Sequence, residues 1–333
     1  EEIVTGARLV EIGNSSIKWE TTTQVNYGVE LGLFKDRLSF VVDYYKKNTE
    51  DVLVRVPIPQ AGGSTNAPFV NAGEIENKGL EISASLRGGN KKFSYNIGAN
   101  IATVRNQVVA LADSEPILGG FGLSDGPITR TEVGYPIGSF YLYKMEGIFQ
   151  DQAEIDASAF QTEDTRPGDI KFADLNSDKV IDDEDRAHFG NPFPDFTYGV
   201  NINLNFYNFD FSVLGQGVQG NDVYFLYGNF AYEVQARGFN SYSEILNRWT
   251  PENTGTDIPR VSLDDRNGNR RISTRWLEDG SYFRIRNITL GYDFKHFIKT
   301  DAIGSLRLYL TAQNAFTFTK YPGLDPEIQA NTN

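Results

Sequence analysis

One stretch of the chain carries oxygen-bearing side chains at the spacing of a cation-binding loop. Between Asp174 and Asp185, side-chain oxygens fall at loop positions 1, 3, 5, 9 and 12, and a backbone carbonyl is available at position 7. Calcium takes about six to eight oxygen ligands, which a flexible loop of this length can supply. We therefore predict a structural, non-catalytic Ca²⁺ site whose ligands are Asp174, Asn176, Asp178, Val180, Asp182 and Asp185.

Two residues of this loop depart from an EF-hand. Lys179 occupies position 6, where a tight turn favours glycine, and Asp185 at position 12 is shorter than the usual glutamate. The spacing is closer to a dockerin-type loop. The alternative is an acidic, solvated loop whose carboxylates are capped by their own Asx turns, and the sequence leaves both interpretations open.

Other chemistry finds little support. The chain has no cysteine and only two histidines, His188 and His296, so a zinc site or a histidine-based triad is disfavoured. The glycine-rich run 118–122 lacks the lysine of a phosphate loop. Paired carboxylates such as Asp264 and Asp265 leave a glycosidase pair open by residue type alone. We predict no catalytic residue and no enzymatic activity.

The elements that position the loop are long alternating strands. Apolar residues alternate with small or polar ones through 25–33 and 38–45, 80–86 and 93–101, 196–206 and 209–213, and 288–294 and 306–312. A period of two is typical of strands. Strands of about ten residues with one apolar face indicate an all-β, antiparallel transmembrane β-barrel. The step from Ile285 to Ile288 breaks the period and predicts a bulge.

The connections between these strands alternate in length. Most links within the hairpins are short, whereas 48–78, 104–195 and 216–282 are long. This asymmetry is typical of an outer-membrane barrel, in which the long loops face the cell exterior. Aromatic residues near the strand ends predict belts at the two membrane surfaces: Trp19, Phe34, Tyr44, Tyr45, Phe196, Phe206, Tyr207, Phe209, Tyr292 and Phe294.

Composition sets the limits of this interpretation. The net charge of the 333 residues is −13, which argues against a nucleic-acid partner. No apolar run is long enough for a membrane-spanning helix. We expect residues 1–333 to be the C-terminal part of a barrel domain, without its plug domain and last strand, and 146–195 to be an extracellular loop insertion.

Several segments resemble SusC/RagA-type TonB-dependent transporters, which are outer-membrane nutrient importers of the Bacteroidetes. The resemblance follows the order and spacing of these segments over almost the whole chain. They are 14–20, 71–81, 134–140, 147–149, 167–172, 174–186, 248–253, 259–260, 281–284, 313–314 and 321–327.

The resemblance implies a barrel of about 22 strands, a plug that engages TonB, and a SusD-like surface lipoprotein as partner. It also implies import of oligosaccharides or oligopeptides, and a dimer of transporter–lipoprotein pairs. The residues themselves do not identify the cargo. Two alternatives remain: an outer-membrane adhesin or receptor without transport, and a surface enzyme that degrades glycans.

Overall fold

The computed structural model describes residues 13–55, 69–111, 115–121, 126–228, 240–262, 264–298 and 302–327. The strands in chain order are β1 (Thr21–Leu33), β2 (Leu38–Arg55), β3 (Phe69–Gly89), β4 (Phe93–Ala102), β5 (Arg105–Leu111), β6 (Ile117–Phe121), β7 (Pro127–Thr131), β8 (Ser139–Tyr143), β9 (Met145–Ile148), β10 (Ile170–Phe172), β11 (Arg186–His188), β12 (Phe196–Phe206), β13 (Phe209–Gln219), β14 (Asp222–Tyr224), β15 (Leu277–Asp279), β16 (Tyr282–Asp293) and β17 (Arg307–Thr319). The helical elements are α1 (Gln152–Ala157) and the 3₁₀ turns Asp183–Asp185, Ser243–Asn247, Thr274–Trp276 and Lys295–Phe297.

Nine strands form one antiparallel sheet. Its order is β1-β2-β3-β4-β12-β13-β16-β17, and β5 pairs with the part of β3 that β4 does not reach. The four predicted hairpins are all present. We call the side of the sheet that carries residues 34–37, 90–92 and 207–208 the turn end, and the opposite side the loop end.

The sheet has one apolar and one polar face. Leu31 lies opposite Phe40, and Phe40 lies opposite Ala84, so the register aligns apolar residues on the same face across neighbouring strands. Tyr27 is 69% exposed and Leu310 is 77% exposed, because within the described residues no second layer covers this face. Such an apolar surface suits acyl chains rather than water.

The predicted bulge lies where the alternation breaks. The register of β13 with β16 shifts at Gly215, and that of β16 with β17 shifts between Ile285 and Asn287. The extra residue keeps Phe283 on the apolar face, where its ring stacks on Tyr198 at 5.9 Å. The bulge therefore preserves the two-faced character of the strand along its whole length.

Aromatic pairs lie near both ends of the sheet. At the turn end, the rings of Phe209 and Tyr292 are 4.6 Å apart, and those of Tyr292 and Phe294 are 4.7 Å apart. At the loop end, Phe283 stacks on Phe318 at 6.3 Å. The turn-end residues belong to the predicted belts, whereas Phe283 and Phe318 do not. The prediction is wrong for Tyr45, which lies opposite Asn26 and Gly79 on the polar face.

The long connections are more ordered than the sequence suggests. Residues 48–55 and 69–78 continue β2 and β3 as paired strands, so the prediction of a long loop over 48–78 is wrong for these described residues. Polar residues such as Asn48 and Asp51 interrupt the alternation there and hide the strand. A strand that has left the lipid no longer needs an apolar outer face.

The other two long connections pack into what we call the loop module, which comprises the described residues between β5 and β12 and between β13 and β16. Its core shares apolar side chains from both connections. They are Ile128, Phe140, Leu142, Tyr143, Ile170, Phe172, Ile181 and Ile272. Residues 146–195 therefore share one core with Ile128 and Phe140 before them and Ile272 beyond them.

Among the described residues, none of the helices has the length and apolar character needed to cross a membrane.

Candidate functional site: the loop module and the polar face

A buried ion pair joins the two connections of the loop module. Arg260 donates to Asp169 through Nε at 2.7 Å and Nη2 at 3.0 Å, and Asp169 is fully buried. The same carboxylate accepts from Asn269 Nδ2 at 2.9 Å and from the backbone N–H of Arg166 at 2.8 Å. Four donors compensate the desolvation of this charge.

Buried amides extend this network. Asn267 Oδ1 accepts from Thr165 Oγ1 at 2.7 Å and from Gln161 Nε2 at 3.1 Å. Gln161 Oε1 in turn accepts from the backbone N–H of Phe172 at 2.7 Å. All three polar side chains are at least nine-tenths buried. Because satisfied buried networks favour one arrangement, these contacts fix the two connections in a single packing.

Asp265 also belongs to this buried hydrogen-bond network. Its carboxylate accepts backbone N–H groups from Asn269 at 2.7 Å and Arg270 at 3.1 Å. Burial raises the pKa of Asp265 above its ordinary value, and these two hydrogen bonds only partly oppose the rise. The group is a structural anchor, and Asp264 beside it is exposed.

The predicted calcium loop folds around its own backbone. Asp174 Oδ1 accepts from Ser177 N at 2.7 Å and Oδ2 from Lys179 N at 2.9 Å. Asp178 Oδ1 accepts from Val180 N at 2.8 Å. Lys179 adopts φ 70°, so the left-handed conformation expected of a glycine at position 6 forms with lysine there.

The last ligand position of that loop is the most buried. Asp185 is fully buried and accepts from the backbone N–H groups of Leu175 at 2.7 Å and Asp182 at 3.0 Å. In the described part of the chain, no three His, Cys, Asp or Glu side chains form a group that could hold a metal ion. The observed hydrogen bonds are those of Asx turns, and calcium binding stays a prediction.

The remaining sequence candidates are dispersed. His188 contacts Glu132 at 2.8 Å within the loop module, whereas His296 contacts Asn208 at the turn end. The glycine-rich run 118–122 is not an isolated loop, because residues 117–121 form β6; residue 122 lies outside the described residues. These placements bring no histidine pair together.

The polar face of the sheet is lined by small and amide side chains. Asn96 lies opposite Asn203, and Gly98 lies opposite Asn201. A Cβ atom at Gly98 would lie 2.2 Å from Asn201 Oδ1, so glycine there makes room for the amide. This wall offers many hydrogen-bonding groups, as the interior of a water-filled barrel does.

Sequence reasoning missed a polar latch on this face. Glu327 accepts from Arg284 Nη1 and Arg286 Nη2, both at 2.5 Å, and from the Tyr282 hydroxyl at 2.6 Å. Arg284 is only 5% exposed and also donates to Asp325 at 2.6 Å. These contacts fold residues 321–327 back against β16. In the sequence, the alternation along β16 predicts that Arg284 and Arg286 lie on the polar side of the bulge. This was the signal from which the two cations of the latch could have been found.

A cleft of about 770 Å³ opens beside the loop module. Carboxylates dominate its ionisable lining: Glu146, Glu244, Asp257 and Glu278, with Arg275 as the cation. Burial, together with nearby Asp257, raises the pKa of Glu278. Trp276 also lines the cleft but is only 2% exposed, so it packs within the module rather than presenting a ring face.

Comparison with known proteins decides the family. The family model described as "TonB dependent receptor-like, beta-barrel" matches residues 4–315. The chain belongs to this family. Its sheet is accordingly a segment of an antiparallel outer-membrane β-barrel. Barrels of this kind generally have short turns on the periplasmic side and longer loops on the extracellular side. The family consists of transporters rather than enzymes.

Two curated relatives illustrate the similarity. The chain is 35% identical over 335 residues to TonB-dependent receptor P3 of Formosa agariphila, covering 98% of the chain and 32% of that protein. It is 29% identical over 328 residues to TonB-dependent receptor SusC of Bacteroides thetaiotaomicron, covering 95% of the chain and 30% of that protein. The chain thus spans about a third of these relatives.

The structure of the RagAB peptide transporter is also similar. It superimposes with a TM-score of 0.79 at 25% identity, over 95% of this chain and 34% of that chain. The RagAB peptide importer in its open-open state gives a TM-score of 0.76 at 25% identity, over 99% and 35%. The resemblance to the SusC/RagA type that the sequence segments indicated is confirmed.

Proposed function

We propose that this chain forms part of the barrel wall of a TonB-dependent importer of the SusC/RagA type. The main support for the proposal is that the two faces of the sheet differ. One face is apolar and uncovered, and the opposite face is polar and lined by glycine and amide side chains. Such a wall separates lipid from an aqueous path. The barrel domain would include residues 1–333, with 146–195 as its extracellular insertion, and TonB would engage the protein through a plug domain.

We propose a SusD-like surface lipoprotein as the partner at the extracellular end. The loop module offers an exposed apolar surface there: Phe160 is 54%, Val180 42% and Leu175 41% exposed. Phe160 and Val180 are bridged through their backbones, so the surface is continuous with the acidic loop 174–185. Apolar residues surrounded by a polar rim are typical of a docking surface. A dimer of such transporter–lipoprotein pairs is part of the proposal.

The proposed cargo is an oligosaccharide or an oligopeptide. The similarity to the RagAB peptide transporter supports the oligopeptide, and the oligosaccharide is what the resemblance to the SusC/RagA type implies. The amide-rich polar face suits either class because both present many hydrogen-bonding groups. An adhesin or receptor without transport is the alternative.

Calcium in loop 174–185 is a further part of the proposal. Each carboxylate oxygen that accepts one backbone N–H keeps a second lone pair, so Asp174 and Asp178 retain donor capacity for a hard cation. A bound ion would stiffen the loop beside the proposed docking surface.

Uptake in cells separates these functions. Cells that carry the full-length transporter receive a labelled oligopeptide mixture or a labelled oligosaccharide mixture, with and without a functional TonB. Import of one mixture that needs both the transporter and TonB supports the proposal. Surface binding without any TonB-dependent uptake would instead identify an adhesin, and breakdown of glycans at the surface would identify an enzyme.

A further inference from the structure

Three cations lie side by side on the outward face, at the extracellular end of the apolar band. Lys46 of β2 lies directly opposite Lys78 of β3, and Lys78 lies directly opposite Arg105 of β5. The neighbouring outward row toward the periplasm is apolar and aromatic: Tyr27 faces Tyr44, and Tyr44 faces Leu80. The basic row therefore begins where the apolar band ends.

The charge of this row is not balanced by the protein. Glu76 accepts from both lysines, at 2.7 Å from Lys46 Nζ and 3.0 Å from Lys78 Nζ. No ion pair joins Arg105 to a carboxylate within the described part of the chain. Glu76 therefore supplies one negative charge against the three positive charges of the row, which leaves an excess of two within the row itself. Like charges directly opposite each other destabilise an antiparallel pair, so an external anion would relieve the row.

The lysines remain accessible. Lys46 keeps 52% and Lys78 keeps 43% of its side chain exposed despite their shared partner. Long cationic side chains at the edge of an apolar band extend along it and place their charge at headgroup level. A basic cluster at that level attracts anionic lipid.

A cleft of about 750 Å³ adjoins the row. Lys78, Arg105 and Glu76 form one part of its lining, and Asp195 lies on another part. When Asp195 is counted as well, the three cations of the row face two carboxylates, and an excess of one positive charge remains. The excess charge is therefore one to two, and it depends on Lys46, which does not line the cleft.

We propose that Lys46, Lys78 and Arg105 bind the phosphate-bearing headgroup of a lipid in the outer leaflet, while its acyl chains lie on the apolar face beside Tyr44 and Leu80. The row is on the lipid side of the wall, so this site is independent of cargo, lipoprotein partner and energy coupling. Failure of the proposed import function would leave it unchanged.

The test uses the full-length protein purified in dodecyl maltoside, titrated with diphosphorylated lipid A or with the same lipid after removal of its phosphates. Bound lipid is counted by native mass spectrometry. The variant is Lys46→Gln with Lys78→Gln and Arg105→Gln. The matched control removes three other cations, Lys47→Gln on the polar face with Lys35→Gln and Lys91→Gln in periplasmic turns. Lys46→Arg with Lys78→Arg tests whether charge alone suffices.

The parent and the Lys→Arg variant should bind the phosphorylated lipid preferentially. Each unbalanced cation is worth about fivefold in affinity, so the triple variant should bind about 5- to 25-fold more weakly and the control should bind like the parent. Equal affinity for lipid with and without phosphates, or unchanged binding by the triple variant, would overturn the proposal. Complete competition by millimolar inorganic phosphate would overturn the choice of a lipid, and a misfolded triple variant leaves the phosphate comparison on the parent as the deciding result.

Discussion

Arg260 holds the fully buried carboxylate of Asp169 with two hydrogen bonds, and the two residues lie 91 positions apart. Asp169 belongs to the connection between β5 and β12, and Arg260 belongs to the connection between β13 and β16. The pair therefore ties together two chain segments that leave the barrel wall at different strands, and it makes the loop module one body.

Arg260→Met should loosen this module. Loss of the cation leaves the buried carboxylate without its partner, which lowers stability by about 3–5 kcal/mol for a fully buried pair. Since 28% of the Arg260 side chain is exposed, we expect about 2–3 kcal/mol. Limited proteolysis and hydrogen exchange of residues 161–172 in the full-length protein measure the change. Arg266→Met is the control, because Arg266 is 62% exposed and its nearest carboxylate contact is 3.5 Å; an equal effect would contradict the assigned role.

Leu31→Arg should impair insertion of the barrel. Leu31 lies on the apolar face of β1, two residues before the strand ends, and is 49% exposed. An arginine on the lipid side costs about 2–4 kcal/mol at mid-bilayer and less toward an interface, so we expect a loss of about 1–3 kcal/mol. Asn26→Ser, on the polar face of the same strand, should be nearly silent. The heat-modified and folded forms on gels report insertion into vesicles, and comparable losses for both variants would mean that the faces are assigned wrongly.

The barrel wall was predictable because the pattern that specifies its strands is local in the sequence. A residue in β1 needs only its neighbours two positions away to reveal which face it lies on, and the bulge appears as a single break at Ile285. The extension of β2 beyond Asn48 was missed because its outer face there is polar, so alternation no longer carries the signal.

The loop module could not be predicted for a different reason. Its defining contacts join residues about a hundred positions apart, such as Asn267 with Thr165, and no short-range pattern encodes them. The loop 174–185 was recognised from its spacing, yet its turn forms with Lys179 at φ 70°. Spacing predicted the turns of that loop without deciding what occupies it.

Asp265 should give the module a pH-dependent stability. Burial raises the pKa of this carboxyl above its unfolded value. Between the unfolded and the folded pKa, the folded state therefore binds more protons than the unfolded state. Its contribution is full below the unfolded pKa and is lost as the pH rises through the folded pKa. Asp265→Asn removes the buried charge, so the melting temperature of the variant relative to the parent should be higher at pH 7 than at pH 4. A difference that is independent of pH would refute this role of burial.

Glu327→Gln should release the segment that covers the polar face. The carboxylate accepts from Arg284, Arg286 and Tyr282, and an amide can replace only part of these contacts. We expect a loss of about 1–3 kcal/mol in local stability, seen as faster hydrogen exchange in residues 321–327. Glu252→Gln, at an exposed position in the loop module, should change exchange nowhere in that segment. Unaltered exchange in the Glu327 variant would show that the latch contributes nothing.

The calcium proposal rests on Asp174 and Asp178. Their carboxylates already accept backbone N–H groups, so the loop has its turns without an ion, and a bound cation would add to that order. Asp174→Ala with Asp178→Ala should remove the ion, loosen 174–185 and weaken docking of the lipoprotein. The control is Asp156→Ala with Glu163→Ala, two exposed acidic residues of the same connection. Elemental analysis of the purified transporter–lipoprotein complex decides the point: absence of any stoichiometric divalent ion ends the calcium proposal. Weakened docking in an ion-free complex would assign the loop's role to its Asx turns alone.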